Sequence, residues 1–226
     1  MSITQQFDEV LKEVITPQLK SLGFKKSGNN FYRDLGDIGQ CFNVQQSRWN
    51  TADAKTFCFN IGLIHKEIYK DLINCDFPKF PKEYDCQVWG RLGPLKFEKD
   101  EWYELSSQTD LETLKATIAY DLITYVNPFF LKYAVWEHWY TLIQEDEYKI
   151  YGPFFRFLLL LKLGKKEEAQ IYWNNYYNEC LIPECSKSSC VYPNGIVHVV
   201  FEKAKVNWER IELIKVYAAQ YGIDLK

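Results

Sequence analysis

Lys55-Thr56-Phe57-Cys58-Phe59-Asn60-Ile61-Gly62-Leu63-Ile64 alternates large apolar residues with small or polar ones. Successive side chains of a β-strand point to opposite faces. Phe57, Phe59, Ile61 and Leu63 therefore define one apolar face, and Asn60 falls on the other. Cys41-Phe42-Asn43-Val44-Gln45-Gln46-Ser47-Arg48-Trp49 follows the same rule, with Phe42 and Val44 set against Asn43 and Gln45. Tyr84-Asp85-Cys86-Gln87-Val88-Trp89-Gly90-Arg91-Leu92 sets Cys86 and Val88 against Gln87 and Arg91. Strands of this kind build a sheet with one face for a core. The second face, of uncharged amides and arginine, is either solvated or a recognition surface.

Upstream of these strands, Phe7, Val10, Leu11, Val14, Ile15, Leu19 and Leu22 recur at helical spacing. Gly23 stands where a left-handed cap ends a helix, with Phe24 just beyond it to pack back. Pro17 removes a hydrogen bond from the middle of this pattern, which predicts a bend near Thr16 or a fresh start at Pro17. Phe31–Asp34 reads as a short strand and Leu35-Gly36-Asp37 as a hairpin connection. Longer strands follow over 38–48 and 55–64, a short helix over 66–75, and strands near 85–91 and 101–105. From Thr109 the period changes from two to 3.6. Helices are expected from Thr109 or Asp110 to Tyr125, from Asn127 to about Ile143, from Gly152 to Gly164 and from Lys165 to Cys180. A last one covers 200–221, with Ala204, Trp208, Ile211, Ala218 and Tyr221 on its stripe. The expected fold is α+β: an N-terminal helix plus a twisted antiparallel sheet of four to five strands covered by helices, followed by an all-helical C-terminal region. The expected division is a domain over 1–126 and a helical region over 127–226 packed on it.

A chain of 226 residues makes one large domain or two small ones. Its net charge of −3, with acids and bases interspersed, lacks the basic stripe that a nucleic-acid footprint needs. The longest apolar run, Phe154–Leu161, is too short to span a bilayer and contains Arg156. Seven cysteines, an odd number, with no secretory segment after Met1-Ser2-Ile3, predict a cytoplasmic protein whose thiols are all reduced.

Arginine is scarce, 5 against 22 lysines. Arg33, Arg48 and Arg91 nevertheless fall in or beside the strands, where a planar guanidinium suits carboxylate or phosphate. The candidate binding set is Arg33, Asn43, Gln45, Arg48, Trp49, Asn60, Gln87, Trp89 and Arg91, with Trp102 as further stacking area. Amides supply both donors and acceptors. No nucleophile or general base stands among them, so no catalytic residue is assigned and binding is favoured over chemistry. The bland alternative is a solvated face with its arginines paired to Asp34, Asp37 or Asp85. Cys180, Cys185, Cys190 and His198 are spaced more loosely than a zinc hairpin, and no metal or cofactor is expected. His138 and His65 read as structural. A protein partner is favoured, a small anionic ligand is the second option, and neither nucleic acid nor membrane is expected. The function these features suggest is an interaction or binding protein, with an enzyme or small-ligand binder on the same face as the alternative.

Leu22-Gly23-Phe24-Lys25-Lys26, Asn30-Phe31-Tyr32-Arg33, Phe42 to Asn50, Phe57 to Gly62, Cys86 to Gly93 and Trp102-Tyr103 follow one another in an order that resembles a bacterial family, domain of unknown function 4304. The resemblance covers about residues 3 to 130. It implies an α+β domain with no assigned catalytic residues, and an association with immunity-type interaction systems.

Overall fold

Ser2 and Gln5 close a reciprocal capping box at the start of α1 (Ile3–Val10). The helix passes into a π-turn at Leu11–Ile15 and continues as α2 (Thr16–Ser21). The π-turn replaces the bend expected at Pro17. The Thr16 N–H donates to Leu11 O, five residues back, so the backbone widens just before a ring that would otherwise press on the carbonyl four residues earlier. The buried residues Ile3, Phe7, Leu11, Ile15 and Leu19 stay on the sheet side throughout. Gly23, at φ 89°, ends α2: Phe24 N–H donates to Leu19 O and Gly23 N–H to Lys20 O. Phe24 then packs on Phe130, ring centres 5.0 Å apart.

The structure is a computed structural model that describes residues 1–73, 75–96, 102–144, 149–150, 152–184, 187–191, 197–201 and 204–226. After α2 come β1 (Lys25–Ser27), β2 (Asn30–Leu35), β3 (Ile38–Gln46), β4 (Ala54–His65), α3 (Lys66–Ile73), β5 (Val88–Arg91), α4 (Leu92–Leu95) and β6 (Tyr103–Ser106). Then α5 (Leu111–Asp121), a second π-turn (Leu122–Val126) and α6 (Asn127–Lys132) run as one continuous helix. Asp110 caps α5 by accepting from Glu112 and Thr113. α7 (Trp139–Gln144) and β7 (Lys149–Ile150) follow. The helix expected from Asn127 to about Ile143 is thus broken at Tyr133-Ala134, and its first part is the end of the preceding helix.

The antiparallel sheet runs β1-β2-β3-β4-β5-β7. β5 pairs with Asn60–Leu63 of β4, and β6 with Ala54–Phe57. β1 and β7 are the strands the sequence did not announce, and the strand expected near 85 starts only at Val88 after a 3-10 turn at Glu83–Asp85.

The apolar face carries Phe31, Phe42, Val44, Phe57, Phe59, Ile61, Leu63, Val88, Tyr103 and Leu105, all buried. Phe7 of α1 meets Phe57 edge-on at 5.2 Å. Tyr103 donates to the buried Asp121 of α5 at 2.6 Å, and Lys96 reaches the same oxygen at 3.3 Å. Gln40, wholly buried on β3, donates to Phe130 O at 2.6 Å. It thereby satisfies a carbonyl in the last turn of α6 that has no helical partner.

The opposite face is divided. Over one half lies a second, smaller core of Tyr32, Cys41, Ile64, Tyr69 and Cys86, joined by Phe77, Phe80 and Trp89. Cys86 is therefore not on the face of Val88, as the alternation suggested: it lies across Gly62 on the other side. Burial pushes its thiol pKa well up. Burial likewise raises that of Tyr32. The other half is uncovered by this core and carries the polar row described below.

Two compact units divide the chain, Met1–Arg156 and Phe157–Lys226. The break expected after residue 126 falls between the second π-turn and α6. The dividing point lies within α8 (Gly152–Lys162). In the second unit, α9 (Lys166–Leu181) and α10 (Trp208–Tyr221) enclose Trp173, which stacks on Phe157 at 4.1 Å and donates to Ile214 O at 3.1 Å. Between α9 and α10, β8 (Lys187–Val191) pairs with β9 (Val197–Phe201). The C-terminal region is therefore not all helical. The last helix begins at Trp208 under an Asn207 cap, leaving Ala204 outside it and Trp208 63% exposed. Among the described residues no helix is long and apolar enough to cross a membrane.

Candidate functional site

Antiparallel register brings one residue from each of five strands into a single transverse row. Ser27 faces Asn30, Asn30 faces Asn43, Asn43 faces Asn60 and Asn60 faces Arg91. The amides are joined side chain to side chain. Asn60 Nδ2 donates to Asn43 Oδ1 at 3.3 Å and to Gln45 Oε1 at 2.8 Å. Asn43 Nδ2 donates to Asn30 Oδ1 at 2.8 Å. The Cys58 thiol donates to Gln45 Oε1 at 3.9 Å. Asn60 is only 6% exposed, and a buried amide left unbonded costs about 1–3 kcal/mol. The bonds to its neighbours remove that cost and fix the amide plane. Asn30, Asn43 and Arg91 are half-buried, and Gln45 is exposed.

Aromatics stand at both ends of this polar floor. The Arg91 guanidinium lies 5.0 Å from the centre of the Trp102 ring. Arg48 lies 4.9 Å from Trp49, and Trp49 is 78% exposed. The loop that presents Trp49 is tied down. Asn50 Oδ1 accepts from Thr56 N–H at 2.7 Å, Asn50 Nδ2 donates to Thr56 O at 3.1 Å, and Ser47 N–H donates to that carbonyl at 2.9 Å. Trp89 shares the polar face by register with Gly62 but packs against the second core.

The expected set is thus only partly brought together. Asn43, Gln45, Asn60 and Arg91 converge, with Arg48 and Trp49 on the adjoining loop. Arg33 lies on the opposite, apolar face, where it pairs in register with Gln40 and its Nη1 donates to Gln40 Oε1 at 3.5 Å. Gln87 is 2% exposed and closes the end of β4, accepting from His65 N–H at 2.8 Å and donating to His65 O at 3.3 Å. Asn30 was missed, because Gly28-Asn29-Asn30 reads as a turn. Its signal is the register with Asn43, which no single strand displays.

No acid–base chemistry is arranged on this floor. His65 sits on the apolar face, with Nδ1 accepting from Ile68 N–H at 3.4 Å and its ring against Trp136 at 4.3 Å. His138 Nδ1 lies 2.7 Å from Lys132 O. Asp34, one proposed partner of the arginines, pairs with Lys66 at 2.7 Å instead, and that bond holds its carboxyl below the usual range. Among the described residues, no group of His, Cys, Asp and Glu is placed to hold a metal ion. Of the weighed ligands, Cys185 lies outside the described residues, as do the side chains of Cys190 and His198.

A family model described as a domain of unknown function, DUF4304, matches residues 15–132. The match takes in all of β1–β6 and stops at the end of α6. No curated protein and no solved structure matches the chain.

Proposed function

The chain belongs to the DUF4304 family, a domain of unknown function, and on that footing we propose that it is a non-catalytic recognition protein whose binding surface is the amide row. The observation that carries this reading is the half-buried network of Asn30, Asn43, Gln45 and Asn60. A merely solvated face needs no bonded amides across three strands, since water satisfies each alone. Interlocked amides offer fixed hydrogen-bond directions, which suit specificity. A tethered, exposed tryptophan beside them suits the anchor of a protein partner. The reading includes a bacterial, cytoplasmic setting, supported by free Cys41, Cys58, Cys75, Cys86 and Cys180. An immunity-type role is the form that the family association suggests.

The test is a native pull-down with wild type and an Arg91→Ala/Gln45→Ala double variant. The expected result is loss of the wild-type partner, with unfolding free energy within about 1 kcal/mol of wild type. Identical partner profiles would remove the recognition reading. A large fall in stability would show that these two residues hold the sheet together.

A further inference from the structure

The hydrogen bonds of the amide row all run one way. Asn60 commits both N–H groups toward β3, and Asn43 commits one toward β2. The carbonyl oxygens of Asn43, Gln45 and Asn30 receive these bonds, and the Cys58 thiol adds a second donor on Gln45. A carboxamide has two N–H donors and one carbonyl oxygen. With those oxygens occupied, the groups left over are the amide nitrogens of Asn30 and Gln45 and one N–H of Asn43. Among the described residues these have no acceptor. The surface is therefore a field of donors, although its residues are chemically neutral and amphoteric. Arg91 closes one end of the row, and Lys25 lies on the same face at the other, on the exposed strand β1. Arg48 adds a third cation on the Trp49 loop. Glu104, opposite Thr56 on β6, is an acid on this face, beyond the row.

Resting on the recognition reading above, we propose that the partner segment this surface takes is acidic: an extended peptide whose Asp or Glu carboxylates accept from Asn30, Asn43 and Gln45. An ionised carboxylate is acceptor-only, so it meets this donor field without a clash of like groups. A basic or donor-rich segment would leave N–H facing N–H. A nucleic-acid strand would need phosphates neutralised by many cations, and this row is mostly neutral amide. Five strands at about 4.8 Å spacing give a floor roughly 19 Å long, which an extended segment of about six residues covers.

The decisive variant is isosteric. Asn30→Asp with Gln45→Glu keeps the oxygen that accepts from Asn43 and from Asn60, and converts only the outward NH2 into an acceptor. The probes are an acetylated, amidated hexaglutamate peptide, its hexaglutamine isostere and inorganic phosphate, followed by the side-chain NH2 signals of Asn30, Asn43 and Gln45 in nitrogen–proton correlation spectra. Wild type should show saturable shifts of these signals with hexaglutamate and none with hexaglutamine. The variant should bind hexaglutamate at least about tenfold more weakly, since a charge-assisted bond lost is worth that much, with an unchanged melting temperature. Gln45→Glu alone, at an exposed position, serves if the double variant does not fold. Unshifted signals, an equal response to hexaglutamine or to phosphate, or undiminished binding by the variant would overturn the acidic class. If the acidic class falls while the pull-down still depends on Arg91 and Gln45, recognition by this face stands. If that dependence is also absent, both fall.

Discussion

Phe59→Ala removes about 3–5 kcal/mol of stability, the expected cost of a large-to-small change in a closed core. Phe59 is fully buried at the centre of β4, with ring centres 4.9 Å from Tyr103, 5.1 Å from Phe42 and 6.1 Å from Phe57. Those neighbours belong to β6, β3 and β4, so the cavity opens where three strands share one surface. Tyr103 is also held through its hydroxyl by Asp121, which limits how far it can move to refill the space. Urea unfolding of the purified variant measures the loss. A value below about 1 kcal/mol would mean that this ring is not part of the main core.

Gly62→Val is expected to damage the other side of the same strand. A Cβ at Gly62 would stand 2.5 Å from Cys86 Sγ, 2.9 Å from Cys86 Cβ and 3.4 Å from Glu83 Cα. Two of these contacts are closer than real side chains tolerate, and the third is backbone. The 3-10 turn at Glu83–Asp85 must lift, taking Cys86 with it. Overpacking of this kind costs about 1–3 kcal/mol. The signature that separates it from general destabilisation is chemical. In the native protein Cys86 and Cys41 are buried thiols, and buried thiols react slowly. The variant should alkylate at Cys86 much faster than wild type under conditions where Cys58, outside the second core, stays protected. Unchanged stability together with unchanged labelling would show that residues 83–86 do not rest on this glycine.

The faces of β3 and β4 were legible because period two runs unbroken through each, from Phe42 to Gln45 and from Phe57 to Leu63. Arg33 was not, because Phe31 and Tyr32 are adjacent and both apolar, so alternation selects no side. Tyr32 goes to the second core, and Arg33 is left on the main-core side. That second core was hidden for a related reason. It draws one residue from each of several segments, two of them cysteines, and no local pattern joins Tyr32, Cys41, Ile64, Tyr69 and Cys86. Gln87 looked like a surface amide because its bonds go to the backbone of His65, a long-range partner. The last helix was drawn too early by running the stripe back from Ile211 to Ala204. Val197-His198-Val199-Val200-Phe201 is β-branched and aromatic, and that composition favours the strand it forms. Of the candidate site, the residue types were readable strand by strand. Their junction into one row was not, since register belongs to the pairing and not to any one strand.

The two π-turns change what a missing residue would do. Ile3, Phe7, Leu11, Ile15 and Leu19 stand four apart, and so do Leu114, Ile118, Leu122, Val126 and Phe130, all buried. A straight α-helix advances about 40° too far with every step of four, so such a series would wind off the sheet within two or three turns. In both helices the π-turn takes back that advance, immediately before Thr16-Pro17 and Asn127-Pro128. Each therefore acts as a leap day in a calendar of fours. Strike one residue from Leu11–Ile15 and the hydrogen bonds of a regular helix can close, but everything after the deletion is turned by about 100°. Leu19 would then lie off the sheet side, and Phe24 would no longer meet Phe130.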